Sequence, residues 1–220
     1  MGKKENLLSK STLLSWWMDD VLEEQKPKNV YTFCKKHKIE ESEFYKFYNS
    51  LNHLEHGVWV AFYENTIDLL HQNESFKEYD DQHKLISFYF TFFEVLTLNR
   101  SYVLEVLPTE FTDFQKLKQL EGLRKSFKIF ISANIDLKQP SGLLEQLTKY
   151  TGNITQEGYW IQFLFILHFW VHDTSENFEK TDILIEKIVT TSADLIPTKP
   201  LENLLDLGKF LIKEKFNLFK

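Results

Sequence analysis

Apolar residues recur every three or four positions along most of the chain, the spacing that places them on one face of an α-helix. This pattern predicts long helices at residues 7–24, 51–72, 82–98, 109–135, 154–173, 178–195 and 201–219. All five Pro residues fall between predicted helices. Residues 136–153 contain Pro140, Gly142 and Gly152, which predicts a loop with at most one short helix. The sequence therefore predicts an all-α protein.

Two short helices joined by a tight turn are predicted between Asn29 and Leu54. Apolar residues lie at helical spacing in both: Val30, Phe33 and Cys34 in the first, then Phe44, Tyr45 and Tyr48 in the second. Helices this short cannot bury their apolar faces alone, so they must pack against each other as a helix-turn-helix. We expect Phe33, Ile39, Phe44 and Tyr48 to hold the pair together. The second helix of such a unit can enter the major groove of DNA.

This segment resembles the DNA-binding module of the tetracycline-repressor (TetR) family. The positions that match the family pattern are Val30, Phe33, Cys34, Ile39, Phe44, Tyr45, Tyr48, Ser50 and Leu54. Residues 7–24 fit the first helix of the family, and residues 83–107 resemble its fifth and sixth helices. The resemblance implies a helix-turn-helix domain with its connecting helix at residues 1–72. It also implies a helical ligand-binding and dimerisation domain at residues 73–220.

By this resemblance, the chain is a transcriptional regulator that binds an operator. The residues expected to contact DNA are Lys28, Asn29, Glu41, Ser42, Glu43, Tyr45 and Lys46. Of these, Tyr45 and Lys46 are expected to contact the DNA backbone. Asn29 is also the expected N-cap of its helix. Two positions depart from the family pattern: Leu51 replaces a phosphate-binding Lys, and Lys38 replaces the turn Gly. Lys38 must then hold a left-handed backbone or form a different turn.

Both acidic and basic residues lie around the predicted helix-turn-helix. The chain carries a net charge of −6, and three Glu residues flank the start of the predicted recognition helix, where like charge repels phosphate. Six Lys residues between positions 26 and 46 outnumber them. The acidic residues leave a second function open, in which a TetR-fold accessory protein carries a lipid or quinone and has lost DNA binding. A pure dimerisation module is a third alternative.

The chain contains 20 Phe residues, and such a bulky interior is hard to fill without gaps. In the family, an apolar cavity inside the second domain binds the ligand. The residues expected to face it are Phe88, Phe92, Phe93, Leu96, Tyr102, Phe127, Phe130, Trp160, Phe163, Phe165 and His168. They suit a long or flat apolar molecule, although each could equally be ordinary core.

The family resemblance also implies a homodimer formed by residues 154–173 and 178–195. One stripe expected at that contact consists of Tyr159, Phe163, Ile166 and Trp170, and another includes Ile183, Ile188 and Leu195. The same stripes could instead be core within one chain.

No other chemistry is indicated. His168 and His172 share a helix face, but no third ligand is evident beyond Asp173 or His83, so we expect no metal site and no cofactor. The chain lacks nucleophile-elbow, phosphate-loop and dinucleotide motifs, so we expect no enzyme. A single cysteine and no signal-peptide pattern indicate the cytoplasm. The most apolar runs are too short to span a membrane.

Overall fold

The computed structural model describes residues 8–108, 114–136 and 145–195, which form helices and no β-strand. Three short 3₁₀ turns, at Glu74–Glu78, Lys118–Leu120 and Glu176–Phe178, accompany the α-helices of these residues. The α-helices are α1 (Lys10–Leu22), α2 (Val30–His37), α3 (Glu41–Phe44), α4 (Leu51–Gln72), α5 (Asp81–Leu98), α6 (Arg100–Val106), α7 (Phe114–Leu117), α8 (Glu121–Asn134), α9 (Glu145–His172) and α10 (Glu179–Leu195). The all-α prediction is confirmed.

Two of the predicted helices differ from those in the structure. Helix α9 begins at Glu145, inside the predicted loop 136–153, and runs through Gly152. A glycine inside a helix costs only about 1 kcal/mol relative to Ala, which a helix of 28 residues can absorb. The predicted helix 109–135 is interrupted at Lys118–Leu120, where the buried Gln119 amide donates to the carbonyls of Val106 and Lys116. The predicted helix 201–219 lies outside the described residues.

The chain forms two compact units, and the boundaries between them fall inside α4, α5 and α8. Unit 1 contains residues 1–69 and 91–126, and unit 2 contains residues 70–90 and 127–220. Residues 91–126 therefore pack with the N-terminal segment. The division of the chain into functional domains after residue 72 stays a prediction.

In unit 1, side-chain caps define where the first helices begin. Ser9 caps α1 by accepting a hydrogen bond from the Thr12 amide. Asn29 caps α2 as predicted, in a reciprocal capping box with Thr32. The hydroxyl of Ser50 accepts from the His53 amide at the start of α4. These caps satisfy amide groups that the first turn of each helix leaves without partners.

The core of unit 2 is an aromatic cluster. Phe127 of α8 lies at its centre, with ring centroids 5.3 Å from Phe88, 5.2 Å from Phe163 and 6.1 Å from Trp160. The Tyr89 hydroxyl donates to the buried Gln162 side chain at 2.9 Å. Burial raises the pKa of Tyr89 well above its ordinary value, so this hydroxyl remains a donor.

Asp173 holds the turn between α9 and α10. One carboxylate oxygen accepts from the amide and hydroxyl of Ser175, and the other accepts from the amide and hydroxyl of Thr181. Burial acts to raise the pKa of Asp173, but these four hydrogen bonds outweigh it and lower the pKa to about 2. The carboxylate therefore fixes the direction in which α10 leaves the turn.

No helix in the described part of the chain is long and apolar enough to cross a membrane.

Candidate nucleic-acid interface and ligand sites

Helices α2 and α3 form the predicted helix-turn-helix. The rings of Phe33 and Phe44 meet edge to face with centroids 5.6 Å apart, and Tyr48 lies 6.3 Å from Phe44. These three side chains are buried, and Ile39 is half-buried in the turn between the helices. The predicted contact of Phe33, Phe44 and Tyr48 is therefore confirmed.

The turn depends on a left-handed residue. Lys38 ends α2 with φ 56° and ψ 43°, in the conformation that the sequence allowed as one of two alternatives. Its amide donates to the carbonyl of Cys34, which caps the helix. A non-glycine residue pays about 1–2 kcal/mol for this backbone.

A buried carboxylate joins α1 to α2. Asp20 is 1% exposed, and its two oxygens lie 2.6 Å from Lys36 Nζ and 2.9 Å from His37 Nε2. The His37 ring also stacks on Trp16, with centroids 4.6 Å apart. This contact sets the position of the helix-turn-helix on α1. In the sequence, Asp20 lies among acidic residues at the end of a predicted helix, where solvent exposure is expected. The buried contact of Asp20 with α2 was therefore not predicted.

The residues predicted to contact DNA fall into three groups. Lys28, Ser42, Tyr45 and Lys46 are exposed, whereas Glu41 and Glu43 are half-buried. The side-chain oxygen of Asn29 accepts from the Thr32 amide at 2.9 Å, so this oxygen is used in capping. Helix α3 spans four residues and has acidic side chains in its first turn.

Ion pairs reduce the positive charge that the helix-turn-helix presents. Lys26 pairs with Glu55, Lys36 with Asp20, and Lys46 with Glu43 at 2.6 Å. Of the six lysines between positions 26 and 46, Lys28, Lys35 and Lys38 have no ion pair with another described residue, and all three are exposed. Their charge is the part of the local lysine cluster that remains available to phosphate.

The predicted ligand-pocket residues do not all lie in one unit. Phe92, Phe93, Leu96 and Tyr102 belong to unit 1, and the remaining members belong to unit 2. All are buried except His168, which is half-buried, and Phe165, which is 55% exposed. The prediction that Phe165 faces inward is wrong, because the face of α9 that carries Phe163 and Ile166 is the one buried in the core.

The predicted dimer stripe on α9 is also wrong. Tyr159, Phe163, Ile166 and Trp170 are buried within the described chain, which leaves no surface for a partner. Among the described side chains of these two helices, the large apolar ones that are exposed are Ile161 (49% exposed) and Phe165 on α9 and Ile183 (50% exposed) on α10. Helical periodicity identifies an apolar stripe but does not identify what covers it.

The histidine pair gains no third ligand in the described chain. His168 and His172 lie with ring centroids 4.6 Å apart, but both Asp173 oxygens are occupied by hydrogen bonds. Nδ1 of His83 is hydrogen-bonded to Asp80. Among the described residues, no three His, Cys, Asp or Glu side chains come together as metal ligands.

A groove of about 680 Å³ lies within unit 1, between α1, α4 and the junction of α5 with α6. The apolar residues that line it include Leu14, Met18, Leu22, Phe62 and Leu98. Tyr102 is the only predicted pocket residue in its lining. Sequence reasoning missed the groove because its walls come from three segments far apart in the chain.

Comparison with known proteins adds independent evidence. A family model described as a tetracyclin repressor-like C-terminal domain matches residues 84–211, more than half of the chain. No curated protein matches the chain significantly. The match covers a region separate from the helix-turn-helix, so the two ends of the chain indicate the same family independently. The chain belongs to the tetracycline repressor-like (TetR) family.

Proposed function

We propose that this TetR-family protein is a transcriptional regulator that binds operator DNA as a homodimer and responds to a small apolar ligand. The observation that carries the proposal is the intact helix-turn-helix, in which Phe33 and Phe44 are buried while Tyr45 and Lys46 face solvent. Such a unit presents its second helix to a major groove. Ligand binding would favour dimers whose recognition helices no longer match successive grooves, which lowers the affinity for DNA.

Phosphate contacts are expected from the exposed lysines. Lys28 lies just before α2, and Lys35 and Lys38 lie at its C-terminal end. The acidic first turn of α3 limits non-specific affinity, because Glu41 and Glu43 face the same polyanion. Glutamate can accept a hydrogen bond from cytosine N4, so these residues favour a regulator that depends on base contacts.

The homodimer is expected to form through the exposed side chains of α9 and α10. Ile161 and Phe165 are four residues apart and therefore share a face of α9. With Ile183 they give each chain an apolar surface that a second copy can cover. This surface replaces the buried stripe that the sequence pattern favoured.

The aromatic cluster of unit 2 is the proposed ligand site. Phe88, Phe127, Phe130, Trp160 and Phe163 pack on one another. A flat apolar ligand would have to separate these rings, and the rearrangement would transmit binding to α8 and α9. The cluster contains no charged side chain, which is consistent with an uncharged ligand.

DNA binding is tested by fluorescence anisotropy on the DNA upstream of the chain's own gene, at low salt, with a scrambled duplex for comparison. We expect specific binding at sub-micromolar protein, and Lys28→Ala should reduce the slope of log affinity against log salt by about one. Lys187→Ala, an exposed lysine on α10, is the matched control and should leave the slope unchanged. Equal affinity for both duplexes, or no binding at micromolar protein, would reject the regulator.

A TetR-fold lipid or quinone carrier without DNA binding is the second candidate. The specific observation that favours it is the acidic α3, where Glu43 holds Lys46 in an ion pair of 2.6 Å. Native mass spectrometry after gentle purification separates the two functions. A co-purified lipid together with no DNA binding would support the carrier. A protein without bound lipid that binds operator DNA would contradict the carrier function.

A further inference from the structure

We propose that the groove between α1, α4 and the α5–α6 junction is a second ligand site, which binds an uncharged, largely apolar small molecule. This site is separate from the aromatic cluster of unit 2, and every residue that lines it belongs to unit 1. The proposal goes beyond the proposed function because it does not depend on DNA binding or on dimer formation.

The size and lining of the groove are those of a small-molecule site. Its volume of about 680 Å³ lies within the usual range for such sites. Leu14, Met18 and Leu22 recur at helical spacing along one face of α1, and Phe62 of α4 lies among the residues opposite. Several hydroxyl and amide side chains are distributed among these apolar residues, contributed by Ser11, Ser15, Asn65, Thr97, Asn99 and Ser101. An apolar surface with a few polar groups binds the body of a ligand and fixes its orientation.

Exposed apolar side chains mark the edge of the groove. Leu98 is 79% exposed although it is a leucine at the last position of α5, and Leu22 at the end of α1 is also exposed. Burying an exposed leucine side chain against a ligand stabilises the complex. An apolar ligand in the groove would cover both side chains. The two charged lining residues, Asp19 and Arg100, have opposite signs, so the lining favours neither an anion nor a cation.

The wall beneath the groove contains polar groups that are poorly satisfied. The Trp17 Nε1 and Tyr102 Oη atoms are buried and interact with each other, but neither forms a hydrogen bond of normal geometry to a described residue. Two buried polar groups that satisfy each other only in part stabilise the contact between α1 and α6 less than fully hydrogen-bonded groups would. Since α1 positions α2 through Asp20, occupation of the groove would reach α2 and, through the contact of Phe33 with Phe44, the recognition helix α3.

The site is tested on the full chain with N-phenyl-1-naphthylamine, an uncharged apolar probe that becomes fluorescent in an apolar site. Wild-type protein should bind at least one probe per chain. Ser15→Trp, which places a bulky ring at an exposed position of the groove, should remove one probe per chain, and Leu98→Lys should weaken the binding of that probe at least several-fold. Both positions are exposed, so the variants should fold, which circular dichroism would verify.

Two matched controls change other exposed positions, which lie outside the groove. Asn52→Trp on α4 and Leu104→Lys on α6 should leave probe binding unchanged. Failure of the wild type to bind the probe, or unchanged binding in both Ser15→Trp and Leu98→Lys, would overturn the groove as a ligand site. Binding that is lost in Phe163→Ala but unchanged in the two groove variants would assign the probe to the aromatic cluster. That result would reject the groove and leave the proposed function standing.

Discussion

Lys38 is a residue whose conformation could be anticipated from its position. A helix-turn-helix of this type needs a left-handed residue after its first helix, and the chain supplies a lysine there. The alternative, a different turn, could not be excluded from the sequence because a left-handed backbone is unfavourable for lysine. The observed φ of 56° shows that the geometry of the fold prevails over the preference of the residue.

Lys38→Gly should therefore stabilise the protein. Glycine adopts the left-handed conformation without strain, and this gain exceeds the entropy that glycine loses on folding, so the free energy of unfolding should rise by about 0.5–1 kcal/mol. Urea denaturation measures the change. Lys35→Gly, within α2, is the control and should lower stability by about 1 kcal/mol. A destabilised Lys38→Gly would show that the lysine side chain contributes more than its backbone costs.

Gly57 shows what a sequence does not reveal at this scale. A Cβ atom at this position of α4 would lie 2.7 Å from the Tyr48 ring, so the tyrosine packs directly on the helix backbone. Burial raises the pKa of Tyr48 strongly, with a further contribution from Glu64. Neither periodicity nor composition could pair these two residues, because their contact depends on how α4 crosses the helix-turn-helix.

Gly57→Ala should lower the free energy of unfolding by about 1–2 kcal/mol. Alanine is the better helix former by about 1 kcal/mol, but the collision with a buried ring costs more. Thermal denaturation followed by circular dichroism measures the net effect. Asn52→Ala, at an exposed position of the same helix, should be neutral or slightly stabilising. If Gly57→Ala were as stable as Asn52→Ala, the close packing of Tyr48 on α4 would be incorrect.

Among the elements, the most accurate predictions are those with strong periodicity and clear ends. Helix α4 spans Leu51–Gln72, as predicted, because Ser50 caps its start and a polar segment follows its end. The predicted start of α9 is wrong, because the local cost of Gly152 inside a helix is small against the packing of a long helix. The interruption at Gln119 depends on the hydrogen bond from Trp59, 60 positions earlier, which no local pattern contains.

The turn between α9 and α10 predicts a specific response to acid. The pKa of Asp173 is about 2 when folded, against an ordinary value of 3.8, so folding favours the ionised form. Its contribution to stability is complete above pH 5 and is lost as the pH falls toward 2. The loss amounts to about 2 kcal/mol by linkage.

Asp173→Asn tests this response. The difference in free energy of unfolding between wild type and variant should shrink by about 2 kcal/mol between pH 5 and pH 2. Thr181→Val removes one of the four donors and should show a smaller change in the same direction. A difference that stays constant across this range would mean that the carboxylate is not preferentially ionised in the folded protein.

At the scale of the whole molecule, the sequence pattern indicated the correct family, but the apolar stripe that it favoured on α9 for a dimer contact is buried. Phe163 and Phe165 are both large and apolar, and they point in opposite directions on α9. Which face the core covers depends on the position of α8 and α10, so periodicity alone could not decide. Periodicity also could not predict that the expected pocket residues belong to two different compact units.

Phe165→Asp should convert the proposed dimer into a monomer, because two carboxylates would be placed in an apolar contact. Sedimentation velocity at micromolar protein measures the change. Ile129→Asp is the matched control: Ile129 is equally apolar and exposed but lies on α8, so this variant should remain dimeric. A dimer that survives Phe165→Asp would place the contact elsewhere.

The packing of residues 91–126 with the N-terminal segment has a practical consequence for dissecting the protein. A fragment that stops after α4 would lack α6, which packs on α1, and Gln119, which accepts the hydrogen bond of the buried Trp59. Such a fragment would leave the indole and its apolar neighbours exposed to water. We therefore expect it to aggregate rather than fold as an independent helix-turn-helix domain. Chimeric proteins that exchange the helix-turn-helix segment with a relative should therefore include residues 91–126 in the exchanged part.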